Sequence, residues 1–177
     1  MKSTVICAPL LIAAVTFALA ETKAGLKESA TVGGKQISIA YSSPAVNGRV
    51  GKLFGPDGRI SQDPTYPVWR AGANNATALH TEANLDLGGL AVPKGDYTLY
   101  INIANPASWE LIVNKQTGQH GTEYDPKQDL GRVKMTMSKP SALVEQLKYT
   151  IASSGGNKGK LELAWENVDA SVNFTVK

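Results

Sequence analysis

The chain has 177 residues, with 18 Lys and Arg against 15 Asp and Glu, a formal net charge of +3, and a single cysteine. Its basic residues are scattered rather than clustered, so no polyanion-binding stripe is present and nucleic acid is excluded as an expected partner. One cysteine cannot build a disulfide framework, so stability has to come from packing.

Met1-Lys2 gives a short positive start, Val5 to Leu19 is almost wholly apolar, and Ala18-Leu19-Ala20 precedes Glu21. That order predicts a secretory signal peptide over residues 1–20, too short and wrongly flanked for a spanning helix. Cleavage after Ala20 leaves 157 residues without Cys7 or Lys2, hence 17 basic and 15 acidic groups and a net charge of +2. That length suits one domain with a real core. No later apolar run reaches spanning length, so no stable membrane insertion is expected after cleavage, and the expected location is secreted or periplasmic.

Residues 21–28 (ETKAGLKE) are polar and without period, and read as a flexible leader; the folded domain is expected over residues 29–177. Thr31-Val32, Gly33-Gly34 and then Lys35 to Tyr41 read as a hairpin, with Ile37, Ile39 and Tyr41 on one face. Ser42 to Thr65 is broken by Pro44, Asn47-Gly48, Gly55-Pro56, Asp57-Gly58 and Asp63-Pro64, and reads as a long surface loop. Loops of that length are functional or disordered. Gly48 to Gly55 has glycines around Lys52 but lacks the spacing, the following Ser or Thr, and the helix of a phosphate-binding loop.

Val68-Trp69-Arg70 predicts a short strand ended by Gly72 to Asn75, and Thr77 to Thr81 the next one. Leu85 to Gly95 reads as turns. Tyr97, Leu99, Ile101 and Ile103 then alternate with Thr98, Tyr100 and Asn102 in the clearest strand of the chain. Trp109, Leu111 and Val113 face inward, and a loop over Lys115 to Asp129 follows. Val133, Met135 and Met137 alternate, as do Leu147, Tyr149 and Ile151, then Leu161, Leu163 and Trp165, then Val172, Phe174 and Val176. About nine short strands with Gly/Pro turns and no helical period predict an all-β fold, a single-domain antiparallel β-sandwich. One-sided alternation favours two sheets packed face to face.

The run Trp69-Arg70-x-Gly72-Ala73-Asn74 resembles a bacterial secreted family, domain of unknown function 2911. The resemblance extends to Tyr41-Ser42-x-Pro44, Gly48-Arg49, Tyr66, Pro93-x-Gly95-x-Tyr97-x-Leu99, Trp109, Gly118-x-x-Gly121, Tyr124-Asp125 and Leu161-x-Leu163-x-Trp165, nearly the whole mature chain. It implies an exported all-β domain and no particular reaction. Similar sequences tend to carry Trp in the Gly-x-x-Gly loop where this chain has His120, which would weaken or retune any stacking surface there.

Two readings of Trp69-Arg70 stand side by side. In one, Trp69 fills the core and Arg70 pairs with a carboxylate such as Glu110 or Asp125, while Gly72, Ala73 and Asn74 serve a turn. In the other, Arg70 presents its planar fork to a small polar or anionic ligand or a glycan. Asn74 then adds an amide, Tyr66 or Tyr124 an aromatic wall, and Arg49 a second cation; His120 belongs to the same candidate set.

No metal site is expected: His80 and His120 are far apart in sequence, and Glu123, Asp125 and Asp129 lack the pattern of a calcium loop. Nor is a cofactor expected. No Gly-x-Ser-x-Gly elbow is present, and the mature chain keeps no cysteine nucleophile, so the expected function is non-catalytic binding. The alternatives are a small envelope hydrolase pairing a carboxylate with His80 or His120, and an envelope structural or assembly partner.

Overall fold

The structure, a computed structural model, describes residues 23–177; the expected signal peptide lies outside the described residues. Among them are thirteen strands: β1 Lys23–Val32, β2 Lys35–Ser43, β3 Val68–Trp69, β4 Thr77–Thr81, β5 Leu85–Leu87, β6 Leu90–Val92, β7 Gly95–Asn102, β8 Glu110–Asn114, β9 Asp129–Lys134, β10 Thr136–Ser138, β11 Val144–Gly155, β12 Lys158–Glu166 and β13 Val168–Val176. One sheet runs β1-β2-β4-β7-β8-β9, with β3 also on β7; the other runs β11-β12-β13-β5-β6, with β10 also on β13. Every pairing is antiparallel. The chain is an antiparallel β-sandwich.

The strand count exceeds the nine expected for local reasons. Three-residue strands such as β5, β6 and β10 are too short to display alternation. The run Val133-Met135-Met137 reads as one strand, yet it changes sheets: β9 pairs with β8, and β10 with β13. The polar leader expected over residues 21–28 is mostly strand. Residues 23–28 belong to β1, whose register with β2 shifts between Lys23 and Leu26, beside Gly25 at φ +67°. That irregularity hides the period of two from sequence inspection.

Between the sheets lie the alternating residues anticipated above. Ile39, Leu99, Ile101, Leu111, Val113 and Leu163 are fully buried. Burial on this scale, at about 25 cal/mol per Å² of apolar surface, is what holds a disulfide-free domain together. A second, smaller core lies on the far side of the first sheet. Val68, Tyr100 and Ile112 are buried there, with Ala76 and Tyr124 packed against them. The loop between β8 and β9 covers that face. Its contacts are Tyr100 Oη donating to the Glu123 carbonyl (3.3 Å), Thr98 Oγ1 to the Gln116 carbonyl (2.7 Å), and Asn114 Nδ2 to the Asp125 carbonyl (2.9 Å). The first sheet is therefore dry on both faces around β7 and β8 and open on its outer face at β2 and β4.

Of the loop expected over Ser42 to Thr65, Ser42 and Ser43 end β2, and the rest is irregular apart from a 3₁₀ turn at Arg59–Gln62. It is an ordered plug. Val46 and Leu53 are fully buried and Ile60 nearly so. Phe54 lies 4.9 Å from the Trp109 ring, 5.7 Å from Trp69 and 5.8 Å from Trp165. Trp69 and Trp165 stack at 5.7 Å with 16° between their planes. All three tryptophans of the chain thus meet under one loop and close one end of the sandwich.

Candidate functional site

The site begins with an interruption. Trp69 pairs with Ile101, and Thr77 with Leu99, on the same edge of β7. A regular ladder would place one residue opposite Tyr100; residues 70–76 stand there instead. The chain leaves the sheet after Trp69, makes an outward loop, and re-enters at Thr77. Trp69 faces the main core and Val68 the outer one, so the loop departs from a point clamped on both faces.

Each turn of that excursion has a partner. Ala71 adopts φ +52° and is fully buried. Its carbonyl accepts from Thr77 Oγ1 (3.1 Å) and from Tyr149 Oη of the opposite sheet (3.0 Å). Burial pushes the Tyr149 phenol well above the ordinary tyrosine range, so it remains a donor. Asn74 sits at φ +58°, a left-handed conformation that asparagine tolerates better than most residues. Its carbonyl accepts from the Gly121 N–H (2.9 Å), and the Ala76 N–H donates to the Gln119 carbonyl (3.2 Å). Gly121 is required by contact: a Cβ there would lie 2.5 Å from Arg70 Cδ and 2.9 Å from the Asn74 carbonyl oxygen. The Trp-Arg-x-Gly-Ala-Asn run and the Gly-x-x-Gly loop are therefore two halves of one structure.

Arg70 Nη2 donates to Asp63 Oδ2 at 2.7 Å, both side chains being about 15 % exposed (14 % and 16 %). The ion-pair partner is Asp63, from the plug loop, where the sequence pointed to Glu110 or Asp125. Glu110 instead accepts from Asn102 Nδ2 (3.1 Å), and Asp125 caps the 3₁₀ turn Pro126–Gln128. Arg70 nevertheless lines an open cleft of about 220 Å³ together with Arg49, Arg59, Asp63, Trp69 and Trp165. Asn74 stands on its wall. Three guanidinium groups against one carboxylate give this lining a formal charge of +2.

The three arginines are held differently. Arg49 donates through Nε to the Val46 carbonyl and through Nη2 to the Ala45 carbonyl, both at 2.8 Å, and so braces the loop that carries it. Arg59 is exposed, with only a long contact to Gln62 Oε1 (3.5 Å). Arg70 is fixed by Asp63 on one nitrogen and makes a long contact to the Asn74 carbonyl on the other. Behind the plug loop, Glu145 accepts from the Asn47 N–H (2.8 Å), and the buried Glu166 accepts from the Gly51 N–H. Trp165 Nε1 is buried without a hydrogen-bond partner among the described residues.

Of the residues singled out in the sequence, Arg49, Trp69, Arg70 and Asn74 converge on this cleft. Tyr66, His120 and Tyr124 are not in its lining. Tyr66 packs against the main core. His120 bridges to Asn75, is exposed, and contacts Thr122 Oγ1 at 2.8 Å. Tyr124 packs on Tyr100 at 4.9 Å, donates to Asp129 Oδ2 (2.7 Å) and accepts from Arg132 Nη2 (2.8 Å), a self-contained group on the outer face. Arg59, Asp63 and Trp165 line the cleft without belonging to the ligand-binding set read from the sequence. Asp63-Pro64 reads as a turn, and nothing local says that its carboxylate returns to Arg70. His80 Nδ1 lies 2.7 Å from Asp96 Oδ1 on the open face, apart from the cleft. Among the described residues no group of three or more His, Cys, Asp or Glu is placed to hold a metal ion.

Fold and site define an antiparallel sandwich whose one elaborated end carries an arginine-lined cleft built from a strand excursion and a plug loop. The chain belongs to the family "Protein of unknown function (DUF2911)", whose model matches residues 24–174. No curated protein and no solved structure matches it.

Proposed function

We propose that this chain is exported and binds a small anionic ligand, a carboxylate or phosphate, in the cleft at Arg70 without transforming it. Export rests on the positive start, apolar run and small-residue cleavage pattern of residues 1–20. Binding rests on one observation: three arginines and one aspartate line a concave site with an indole floor. Guanidinium groups bind carboxylates and phosphates through paired N–H donors, and a cleft of low-dielectric walls concentrates their field. Asp63 orients Arg70 through Nη2, while Nη1 makes only a 3.5 Å contact to the Asn74 carbonyl that a ligand anion can replace.

Trp69 and Trp165 in the cleft make intrinsic fluorescence a direct reporter. Titration with acetate, citrate and phosphate at low ionic strength should give a saturable signal that weakens with added salt. Arg59→Ala, at an exposed position, should weaken binding about tenfold while leaving the melt unchanged, the scale of one charged hydrogen bond. Arg70→Ala should abolish binding in a protein that still melts cooperatively. No saturable signal with any of the three anions, or full binding by the Arg59 variant, would sink this reading.

A further inference from the structure

Asn74 belongs to two concavities. On one side is the arginine cleft; on the other is a groove of about 430 Å³ on the open face of the first sheet. The arginine cleft, at about 220 Å³, falls below the roughly 300–1,000 Å³ usual for small-molecule sites, whereas the groove lies within that range. A ligand that extends past Asn74 reaches the larger groove.

The groove differs chemically from the cleft. Its floor is Ala40 and Ala78, paired in register across β2 and β4, with Ala76 beside them. Asn74, Asn75 and Gln119 supply side-chain amides, and no charged side chain lines it. The orientation of the Gln119 amide follows from its neighbours. The Thr98 hydroxyl donates to the Gln116 carbonyl and the Tyr100 hydroxyl to the Glu123 carbonyl, so both oxygens can only accept. Gln119 must therefore turn Nε2 toward them, at 3.3 Å and 3.1 Å, which leaves Oε1 without a partner although the residue is 8 % exposed. That oxygen is itself sealed from solvent, so Gln119 shapes the groove wall while Asn74 and Asn75 are the exposed amide residues there. Asn74 stands exposed at the divide between the two concavities, and among the described residues its side-chain amide makes no hydrogen bond that would hold it away from a ligand.

We propose that the ligand is an acidic sugar chain, with a carboxylate-bearing unit in the arginine cleft and an adjoining neutral sugar over Asn74 in the amide-lined groove. This deepens the anion-binding reading and rests on it. A neutral sugar unit brings hydroxyl donors for the Asn74 and Asn75 side-chain carbonyls, acceptors for their N–H₂ groups, and no charge that the groove would leave unpaired. Alanines at the floor let a ring approach the sheet closely.

The test is calorimetric titration of the full mature chain with three probes: glucuronate, a disaccharide of glucuronate on glucose, and a neutral glucose disaccharide. The acidic disaccharide should bind about tenfold or more tighter than glucuronate, the scale of two net hydrogen bonds, and the neutral one should not bind measurably. Ala78→Phe fills the groove from an exposed position, and Ala40→Phe does so independently should the first variant fold poorly. Either should reduce the acidic disaccharide to the affinity of glucuronate and leave glucuronate unchanged, whereas Arg59→Ala should weaken both acidic probes by the same factor. Equal affinities in the unmodified chain, a gain that survives filling the groove, or equal binding of the neutral disaccharide would each overturn the proposal. Binding of phosphate or acetate without any gain for the disaccharide removes only the sugar chain; binding of no anion at all removes the cleft reading as well.

Discussion

Two loops dress the first sheet, and an arginine–aspartate pair stands beside each. Over the sheet's end, Arg70 reaches Asp63 across the plug loop, with both groups mostly buried and a concavity beside them. Over the outer face, Arg132 meets Asp129 three residues away at 3.0 Å, and Tyr124 closes the group. The second pair is local, half exposed on the arginine side and saturated: Asp129 Oδ2 takes Arg132 Nε and Nη2 as well as the Tyr124 hydroxyl. The first ties the plug loop to the excursion after β3, across a separation of seven residues. The same chemistry thus seals one loop and leaves the other with guanidinium surface facing an opening. Solvent around a pair decides whether it is a brace; what its remaining donors face decides whether it is also a site.

Mutation can break this contrast in graded steps. Trp69→Ala should have the largest effect, about 3–5 kcal/mol of stability, because it removes the ring that stacks on Trp165 and meets Phe54 and Trp109. A denaturant midpoint shifted by that amount, with unchanged slope, is the expected reading. Arg70→Ala should come next at about 2 kcal/mol, below the figure for a fully buried broken pair because both groups keep some solvent. Asp63→Ala should cost a similar amount. A double variant costing no more than either single would measure their coupling directly. Were Arg70→Ala neutral to stability, the cleft would have no brace and the two loops would differ more than the contacts indicate.

Tyr149 sharpens the same comparison through pH. Its buried phenol titrates above the ordinary range in the folded chain, where it holds the Ala71 carbonyl, and near 10 when unfolded. A folded value raised above the unfolded one stabilises fully below the unfolded value, and that contribution is lost as pH rises past about 10. Melting temperature should fall steeply from about pH 10 upward in the unmodified chain and less steeply in Tyr149→Phe. At neutral pH that variant should lose about 1 kcal/mol, one hydrogen bond. A variant with an unchanged alkaline slope would show that the excursion does not depend on this tether.

Much of this architecture is legible in residue order. Alternation in β2, β11, β12 and β13 marks the inward faces, since a period of two survives where a strand is long and one face is wet, and β7 keeps it in sequence because its covered outer face still carries Thr98, Tyr100 and Asn102. Burial of Tyr100 and Ile112 on the opposite face is not legible, because it depends on a loop returning over β7 and β8 from later in the chain. Trp69-Arg70-x-Gly72-Ala73-Asn74 shows a strand giving way to small residues with turn character. That the chain then rejoins the same edge of β7 is a matter of register, which no local pattern encodes. Pairing of Arg70 with Asp63, and the presence of Arg59 in the cleft, follow from how the plug loop folds back around its buried Leu53 and Ile60. Charged partners in irregular segments carry no periodicity to betray them.

The smallest effect belongs to Arg132, and it tests whether the cleft's electrostatics are local. Burial first, and Asp129 next, raise the Tyr124 phenol above its ordinary range, and Arg132 pulls it back down. Arg132→Gln should therefore move the Tyr124 titration still higher, read as delayed phenolate absorbance. It should change stability by less than about 1 kcal/mol, as for other half-exposed pairs. Anion affinity at the cleft should not change, because Arg132 is outside the lining and physiological salt screens exposed charges within about 8 Å. A fall in affinity comparable to that of Arg59→Ala would mean that the two loops share one field, and that the outer group does more than seal the face it covers.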